Sequence, residues 1–213
     1  MSAPAPLVVE RLARRFGALE AVAELSLRVE AGSIVGFLGA NGAGKTTTLR
    51  CIAGLLTPDA GSITIAGASL AREPRVAKAR MGFVPDRPFL YERLTAREFG
   101  YSLGMRQKTS IAAALLHSPP LLLLDEPLNG LDPAATRTLK DLLREHAAAG
   151  GGVLVSTHLL DVAERLCDTL VMVRTGRVVA AGTLSELRGA DSQRSLESVF
   201  MELGATRTDT TGA

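Results

Sequence analysis

The chain has 213 residues, of which 46% are hydrophobic and 22% charged, and its formal net charge is +2. This size suits one domain, or at most a domain with a small appendage, and the composition is that of an ordinary globular protein. The small net charge and the scattered arginines do not form a nucleic-acid-binding pattern, so we expect no nucleic-acid partner. No apolar run approaches 18 residues and the N-terminal segment lacks a cleavable apolar core, so we expect neither a membrane span nor a signal peptide.

The first elements in chain order are short strands. The runs LVVERL and LSLRVE predict an antiparallel β portion at the N-terminus. A strand over Ser33–Gly39 ends in a glycine-rich turn and passes into a helix, KTTTLRCIAGLL, that closes near Gly54. The segments GSITIAG and MGFVPD predict two more strands, and Pro85 ends the second.

The second half alternates helices with apolar strands. AREFGYS predicts one or two helical turns, and a further helix runs from about Arg106 to His117. LLLLDEP and GVLVSTH are continuous apolar runs, which favour strands buried on both faces of a parallel sheet. Between them lies a helix that Asp132 caps. TLVMVRTGRVVAAG predicts a hairpin and SLESVFMEL a tail helix, so we expect an α/β fold with a mostly parallel sheet.

A phosphate-binding loop follows the third strand. GANGAGKT, residues 39–46, matches G-x-x-x-x-G-K-[ST] and opens a predicted helix. The glycines let backbone N–H groups turn toward anionic oxygens, and the start of the helix adds positive potential. Lys45 would reach the β- and γ-phosphates, and the Thr46 hydroxyl would ligate Mg²⁺. The expected cofactor-binding residues are Gly39, Asn41, Gly42, Ala43, Gly44, Lys45, Thr46 and Thr47.

Three side chains at strand ends complete the predicted site. Asp125 ends LLLLD and is the expected second metal ligand. Glu126 points the other way, because successive residues of a strand alternate, and would polarise a water beyond the γ-phosphate. The alternative for Glu126 is a surface acid on a loop. His158 follows the next buried strand, where open α/β sheets place ligand contacts, and its alternative is a structural histidine.

The combined segments resemble the ATP-binding subunits of ABC transporters over nearly the whole chain. GANGAGKTTTL and LLLLDEP resemble the Walker A and Walker B motifs of that family, Asn129–Asp132 its D-loop, and STH its switch histidine. YSLGMRQK is similar to the family signature, with Ser102 and Gly104 in its two most characteristic places. Phe16 matches the aromatic residue that stacks on adenine, with a core phenylalanine as the alternative. PFLYERLTAREF and LESVFMEL are most similar to bacterial exporters of the ABC-2 type.

The resemblance implies an ATPase with ATP and Mg²⁺ as cofactors and with Glu126 and His158 as catalytic residues. It implies a P-loop NTPase core of mostly parallel sheet flanked by helices, plus the N-terminal antiparallel portion. Two such domains, a homodimer or a pair, would close on ATP, with Ser102 and Gly104 contacting the nucleotide held by the partner. The other implied partners are membrane-spanning transporter subunits. The widely separated Cys51 and Cys167 indicate reduced thiols in a cytosolic protein. The resemblance implies a position in the cytoplasm, peripheral on the inner face of the plasma membrane.

Two features depart from the family. Asp86 stands where the family usually has Gln; Asp86 is expected to bind the cofactor and Mg²⁺, and a loop-capping role is the alternative. Only fifteen residues lie between Asp86 and Ser102, and the helical arm of the family cannot fit in them. We therefore expect a strongly truncated helical subdomain. We also expect a single domain over residues 1–213, composed of segments 7–86, 87–118, 119–188 and 189–213.

Two functions remain open on the sequence. The first is a subunit that hydrolyses ATP to power an ABC-type transporter, in particular an exporter. The second is a nucleotide-dependent binding module with impaired turnover, because the shortened arm misplaces Ser102 and Gly104. Another P-loop enzyme, such as a small-molecule kinase, is disfavoured by the combination of signature, D-loop and switch histidine.

Overall fold

The computed structural model describes residues 4–87, 103–189 and 195–205. Within those ranges the chain forms two sheets with helices packed on them. The helical turns predicted for AREFGYS lie outside the described residues, and so does Ser102.

The first sheet is antiparallel and confirms the predicted N-terminal β portion. Its order is β2-β1-β4-β5. Alternating burial along these strands matches a sheet with one face packed on the core and one toward solvent. The strands are β1 (Leu7–Phe16), β2 (Leu19–Val29), β4 (Ala60–Ile65) and β5 (Ala68–Ser69).

The second sheet has six strands in the order β10-β9-β3-β8-β7-β6. Five of them are parallel, and β10 returns antiparallel to β9 as the predicted hairpin. Every residue of β3, β7 and β8 is buried, in agreement with their continuous apolar runs. The strands are β3 (Ile34–Leu38), β6 (Met81–Val84), β7 (Leu121–Asp125), β8 (Gly152–Thr157), β9 (Thr169–Arg174) and β10 (Arg177–Thr183).

Seven helices surround the sheets in the described part of the chain. Asp132 Oδ1 accepts a hydrogen bond of 2.7 Å from the Ala135 N–H and caps the helix that follows, as predicted. The sequence analysis missed α2, α5 and α6, because helices of five to seven residues are too short to show a clear 3.6-residue period. The helices are α1 (Lys45–Ile52), α2 (Pro74–Ala79), α3 (Leu103–Leu115), α4 (Pro133–Ala148), α5 (Leu160–Leu166), α6 (Leu184–Arg188) and α7 (Leu196–Ala205). Within the described ranges, none of these helices has the length and hydropathy that a membrane crossing requires.

The core on one side of the parallel sheet holds α3 in place. Ile111 of α3 is 6% exposed and packs in a cluster with residues of β7 and α4, such as Leu122 and Leu139. Leu115 packs at the margin of that cluster, whereas Leu116 just beyond α3 is 87% exposed. The helix that carries Gly104 is therefore anchored on the parallel sheet and α4 by its own apolar side chains.

His146 gives a pH dependence of stability that can be tested. It lies in the last turn of α4, its Nε2 has no hydrogen-bond partner among the described residues, and burial lowers its pKa from the usual 6.5. Below about pH 6.5 the unfolded chain binds a proton at this ring that the folded chain resists, so the free energy of unfolding falls as the pH falls. As the pH is lowered from 7.5 to 5.5, wild type should lose stability that His146→Leu keeps. We therefore expect the melting temperature of His146→Leu minus that of wild type, measured by thermal denaturation, to increase as the pH falls. A constant difference across that range would contradict this account.

Candidate nucleotide-binding and hydrolysis site

Strand order brings together the residues that follow three separate strands. β8 lies between β3 and β7, with Leu38 opposite Thr157 and Asp125 opposite Ser156. Because these strands are parallel, their carboxyl ends meet at one edge of the sheet. The glycine-rich loop after β3, the acidic pair at the end of β7 and His158 after β8 therefore lie side by side.

A cavity of about 660 Å³ opens at this edge. It is bounded by the glycine-rich loop, the end of β1, the start of β2 and the turn between β9 and β10. Gly39, Ala43, Gly104 and Asp125 are not among the described residues that line it. The predicted site residues that line it are Phe16, Asn41, Gly42, Gly44, Lys45, Thr46, Thr47, Asp86, Glu126 and His158.

The loop backbone is shaped by close packing and leaves the start of α1 open. Gly44 has φ +100°, and a Cβ there would lie 2.3 Å from the Ala21 carbonyl oxygen, so a larger residue is excluded. Gly44 supplies no side-chain cap for α1, and the first N–H groups of a helix lack intrahelical acceptors. These groups are available to an anion. Ala43 differs, because its N–H donates to the Ala40 carbonyl at 3.1 Å.

Lys45 is a buried cation with acceptors on two sides. The residue is 6% exposed. Its Nζ donates to the Gly39 carbonyl at 2.7 Å and to the Ala40 carbonyl at 3.3 Å, and it lies 3.6 Å from Glu126 Oε1. Lys45 thus places a full positive charge at the floor of the cavity, held by its own loop.

Asp125 is the most buried acid at this edge. It is 2% exposed, accepts a hydrogen bond of 2.5 Å from Ser156 Oγ and is hydrogen-bonded by the Thr46 side chain. Burial raises its pKa, and the nearby carboxylates of Asp86 and Glu126 raise it further. No group of three or more His, Cys, Asp or Glu side chains suited to a metal ion occurs in the described ranges. Asp125 and the Thr46 hydroxyl are two hard oxygen donors that lie together at this point.

Glu126 has an unusual backbone and well-defined neighbours. Its φ is +47°, a left-handed conformation that costs energy for a residue with a side chain. Its N–H donates to the Ser156 carbonyl at 3.1 Å. Its Oε2 lies 3.0 Å from His158 Nδ1, and its side chain is 12% exposed. The structure thus brings the two predicted catalytic residues into direct contact at the cavity wall.

Phe16 and Asp86 lie at two other points of the cavity wall. Phe16 is 45% exposed, so it is not a core residue, and the Arg14 guanidinium lies 4.9 Å from its ring centroid. Asp86 accepts a hydrogen bond of 2.9 Å from Asn129 Nδ2, which gives it a loop-holding contact in addition to its place at the cavity.

Sequence reasoning missed three residues that support the site. Ser156 bonds both Asp125 and the backbone of Glu126. Gly176, in the β9–β10 turn, donates to the Ala43 carbonyl at 2.9 Å and supports the loop from below. Gln107 of α3 is fully buried beside the chain that follows Glu126. In the sequence, Ser156 is a polar residue in an apolar strand, Gly176 is a turn glycine, and Gln107 is an amide on an apolar helix face. None of these features by itself indicates which residue the side chain or backbone contacts.

Comparison with known proteins identifies the family. A family model described as "ABC transporter" matches residues 22–99, and a second model, described as an AAA domain, putative AbiEii toxin, Type IV TA system, matches residues 68–162. The ABC-type transporter ATP-binding protein EcsA of Bacillus subtilis is 36% identical over 84% of this chain and 88% of its own. The Nod factor export ATP-binding protein I of Burkholderia lata is 36% identical over 84% of this chain and 71% of its own.

The alignment with the Bacillus subtilis protein also bears on chain length. It extends over 218 residues, more than the 213 of this whole chain, so the relative has residues without a counterpart here. A solved structure described as an ATP binding subunit of an ABC transporter superposes with a TM-score of 0.87 at 34% identity, covering 93% of this chain and 99% of its own. The chain therefore belongs to the ATP-binding subunits of ABC transporters and has the α/β fold of their ATPases.

Proposed function

We propose that this chain hydrolyses ATP to power an ABC-type exporter, acting in the cytoplasm on the inner face of the plasma membrane beside separate membrane-spanning subunits. The observation that carries the proposal is the convergence of an uncapped helix start, a buried lysine and a Glu126–His158 pair on one cavity. The name of the Burkholderia lata relative, an export protein, supports the direction of transport. We propose further that residues 1–213 form one ATP-binding domain.

The residues present suit ATP with Mg²⁺. Lys45 and the open N–H groups at the start of α1 form an anion site at the cavity. The hydroxyl of Thr46 and the carboxylate of Asp125 offer Mg²⁺ the one or two protein oxygens that it typically takes when phosphates and waters supply the rest. A cation there would also relieve the repulsion between Asp125 and its neighbouring carboxylates. Bound Mg²⁺–ATP would supply the electrophilic terminal phosphorus and the charge neutralisation that its transfer to water needs.

Glu126 and His158 would handle the water. A Glu126 carboxylate oxygen would accept a proton from water and orient it. His158 Nδ1 holds Oε2 of that carboxylate at 3.0 Å, which leaves the other ring nitrogen for a second hydrogen bond. The half-exposed Phe16 ring would give adenine a face to stack on, and Asp86 would keep one oxygen for the metal side while Asn129 holds the other.

We propose that two copies of this domain, or a related pair, close around ATP. Gly104 lies near the start of α3 and does not contribute to this chain's own cavity among the described residues. A position of that kind suits contact with a nucleotide bound by another subunit, and Ser102 would join it there. Sheet-edge residues from one copy and the start of α3 from the other would then enclose the phosphates.

The dimer is the part of the proposal that a simple experiment tests. Glu126→Gln with saturating ATP and Mg²⁺ is expected to elute as a dimer in size-exclusion chromatography. The variant leaves the nucleotide intact, and it keeps both the sheet-edge cavity and the start of α3 that would enclose it. The double variant with Lys45→Ala should stay monomeric, since it lacks the triphosphate contact. A strict monomer for the single variant would favour the second candidate function, a nucleotide-dependent binding module with impaired turnover.

The membrane partner is tested separately. A neighbouring reading frame with about six hydrophobic spans would support the exporter. Co-purification of that product with this chain from membranes, and its loss on omission of the neighbouring gene, is the direct measurement. Failure to recover the chain in the membrane fraction with any such product would contradict the transport assignment while leaving the ATPase intact.

A further inference from the structure

Two adjacent side chains of α3 hold opposite ends of one short segment. Gln107 Nε2 donates to the Pro127 carbonyl at 3.2 Å. Lys108 Nζ lies 3.1 Å from Asp132 Oδ2. Pro127 and Asp132 are the two ends of segment 127–132, which runs from Glu126 to the N-cap of α4.

The Pro127 contact bears directly on Glu126. A residue with a side chain persists at a φ of +47° only when its surroundings fix it. On the N-terminal side, the Ser156 carbonyl accepts from the Glu126 N–H, and on the C-terminal side the Glu126 carbonyl accepts from the Asn129 N–H at 3.1 Å. The bond from Gln107 to the next carbonyl is a further restraint on the same backbone, and it comes from a different helix.

The burial of Gln107 favours this role over simple packing. The residue is 0% exposed, and its Oε1 has no hydrogen-bond partner among the described residues. An unpaired buried acceptor is costly, and a methionine of similar length would fill the site without one. The favourable polar contact that the described structure gives this amide is the one with Pro127. The Lys108–Asp132 pair is solvent-exposed and weaker, and it joins α3 to the other end of the segment.

We propose that Gln107 and Lys108 form a clamp that positions Glu126 and transmits movement of α3 to it. This inference rests on the proposed function, in which the start of α3 meets a nucleotide on the partner. A shift of α3 toward that nucleotide would move Pro127. Because Pro127 directly follows Glu126 in the chain, the carboxylate of Glu126 would move with it. Gln107 is thus a positioning residue that touches neither ATP nor water.

Hydrogen–deuterium exchange on the nucleotide-free chain tests the clamp without any activity. The Asn129 and Leu131 amides, which donate within this turn, are the reporters. Gln107→Met should raise their exchange rates by about tenfold, because the turn loses its anchor on α3. Thr109→Ala, an exposed neighbour on the same helix, should leave them unchanged. Unchanged rates in Gln107→Met would overturn the proposal. If that variant does not fold, Lys108→Met on the exposed side must show the same direction of change, and its absence would overturn the proposal equally.

Steady-state kinetics give the second readout. Gln107→Met should lower kcat about tenfold and leave KM for ATP within about twofold, since a displaced catalytic group slows chemistry but not binding. In the double variant Gln107→Met with Lys108→Met, kcat should fall little further, because the Gln107–Pro127 and Lys108–Asp132 contacts restrain the same segment and are not additive. Equal kcat for wild type and Gln107→Met would overturn the clamp while the proposed ATPase stands. A wild type without ATPase activity would count against the proposed function, and the exchange rates would still decide the clamp.

Discussion

Glu126→Gln is expected to lower the steady-state rate of ATP hydrolysis by about 10²-fold or more, an estimate for the loss of one preorganised catalytic group. The substitution keeps the shape of the side chain but removes the carboxylate that we propose as the proton acceptor, which lies beside His158 at the cavity wall. Nucleotide binding should survive, because Lys45 retains its bonds to the loop carbonyls and the cavity loses a negative charge near the phosphates. Phosphate release measures the rate, and titration with a fluorescent nucleotide measures affinity.

The matched control is Glu145→Gln, the same chemical change at an exposed residue near the end of α4, which should leave both quantities unchanged. If wild type hydrolyses ATP no faster than Glu126→Gln, the carboxylate is not the catalytic base, or the chain turns over too slowly to be a motor. That result would favour the binding-module alternative.

Lys45→Ala is expected to weaken ATP binding by about 10²-fold or more, the scale for losing a buried charge-assisted contact. Two effects add. The ammonium that would meet the phosphates is lost, and Glu126, which lies 3.6 Å from it, is left without a counter-charge and repels the triphosphate. Fluorescent-nucleotide titration in the presence of Mg²⁺ measures the change.

Lys78→Ala serves as the control, because this exposed lysine bonds the Gly54 carbonyl away from the cavity. It removes the same charge from the chain, so any general electrostatic effect appears in both variants. Undiminished binding in Lys45→Ala would reject the assignment of residues 39–46 as the phosphate site.

The truncated arm affects these expectations in one place. Glu126 and Lys45, the residues changed in the two main variants, lie at the sheet edge, which is built without the arm. The length of the arm would instead affect the position from which the start of α3 contacts another subunit in the proposed dimer. The apolar contact of Ile111 and the contacts of Gln107 and Lys108 show that α3 is attached to the core by its own side chains. A short connection before it is therefore compatible with a defined position of Gly104.

Local sequence patterns were sufficient for most of the fold. The uninterrupted apolar runs of β7 and β8 predicted strands buried on both faces, and both are fully buried. Asp132 followed by Pro133 predicted the start of α4. The short helices α2, α5 and α6 were missed, because a helix of so few residues is stabilised by packing on its neighbours more than by its own pattern.

The sequence by itself was sufficient to predict a phosphate-binding loop at residues 39–46 and the acids Asp125 and Glu126 as its partners, because those proposed functions need particular residue types at fixed local spacing after a strand. Only the tertiary structure decided that His158 contacts Glu126, that Ser156 supports Asp125, and that Gln107 reaches Pro127. The physical reason is strand order. β8 inserts between β3 and β7, so residues far apart in the chain become neighbours through sheet pairing, which no local spacing encodes.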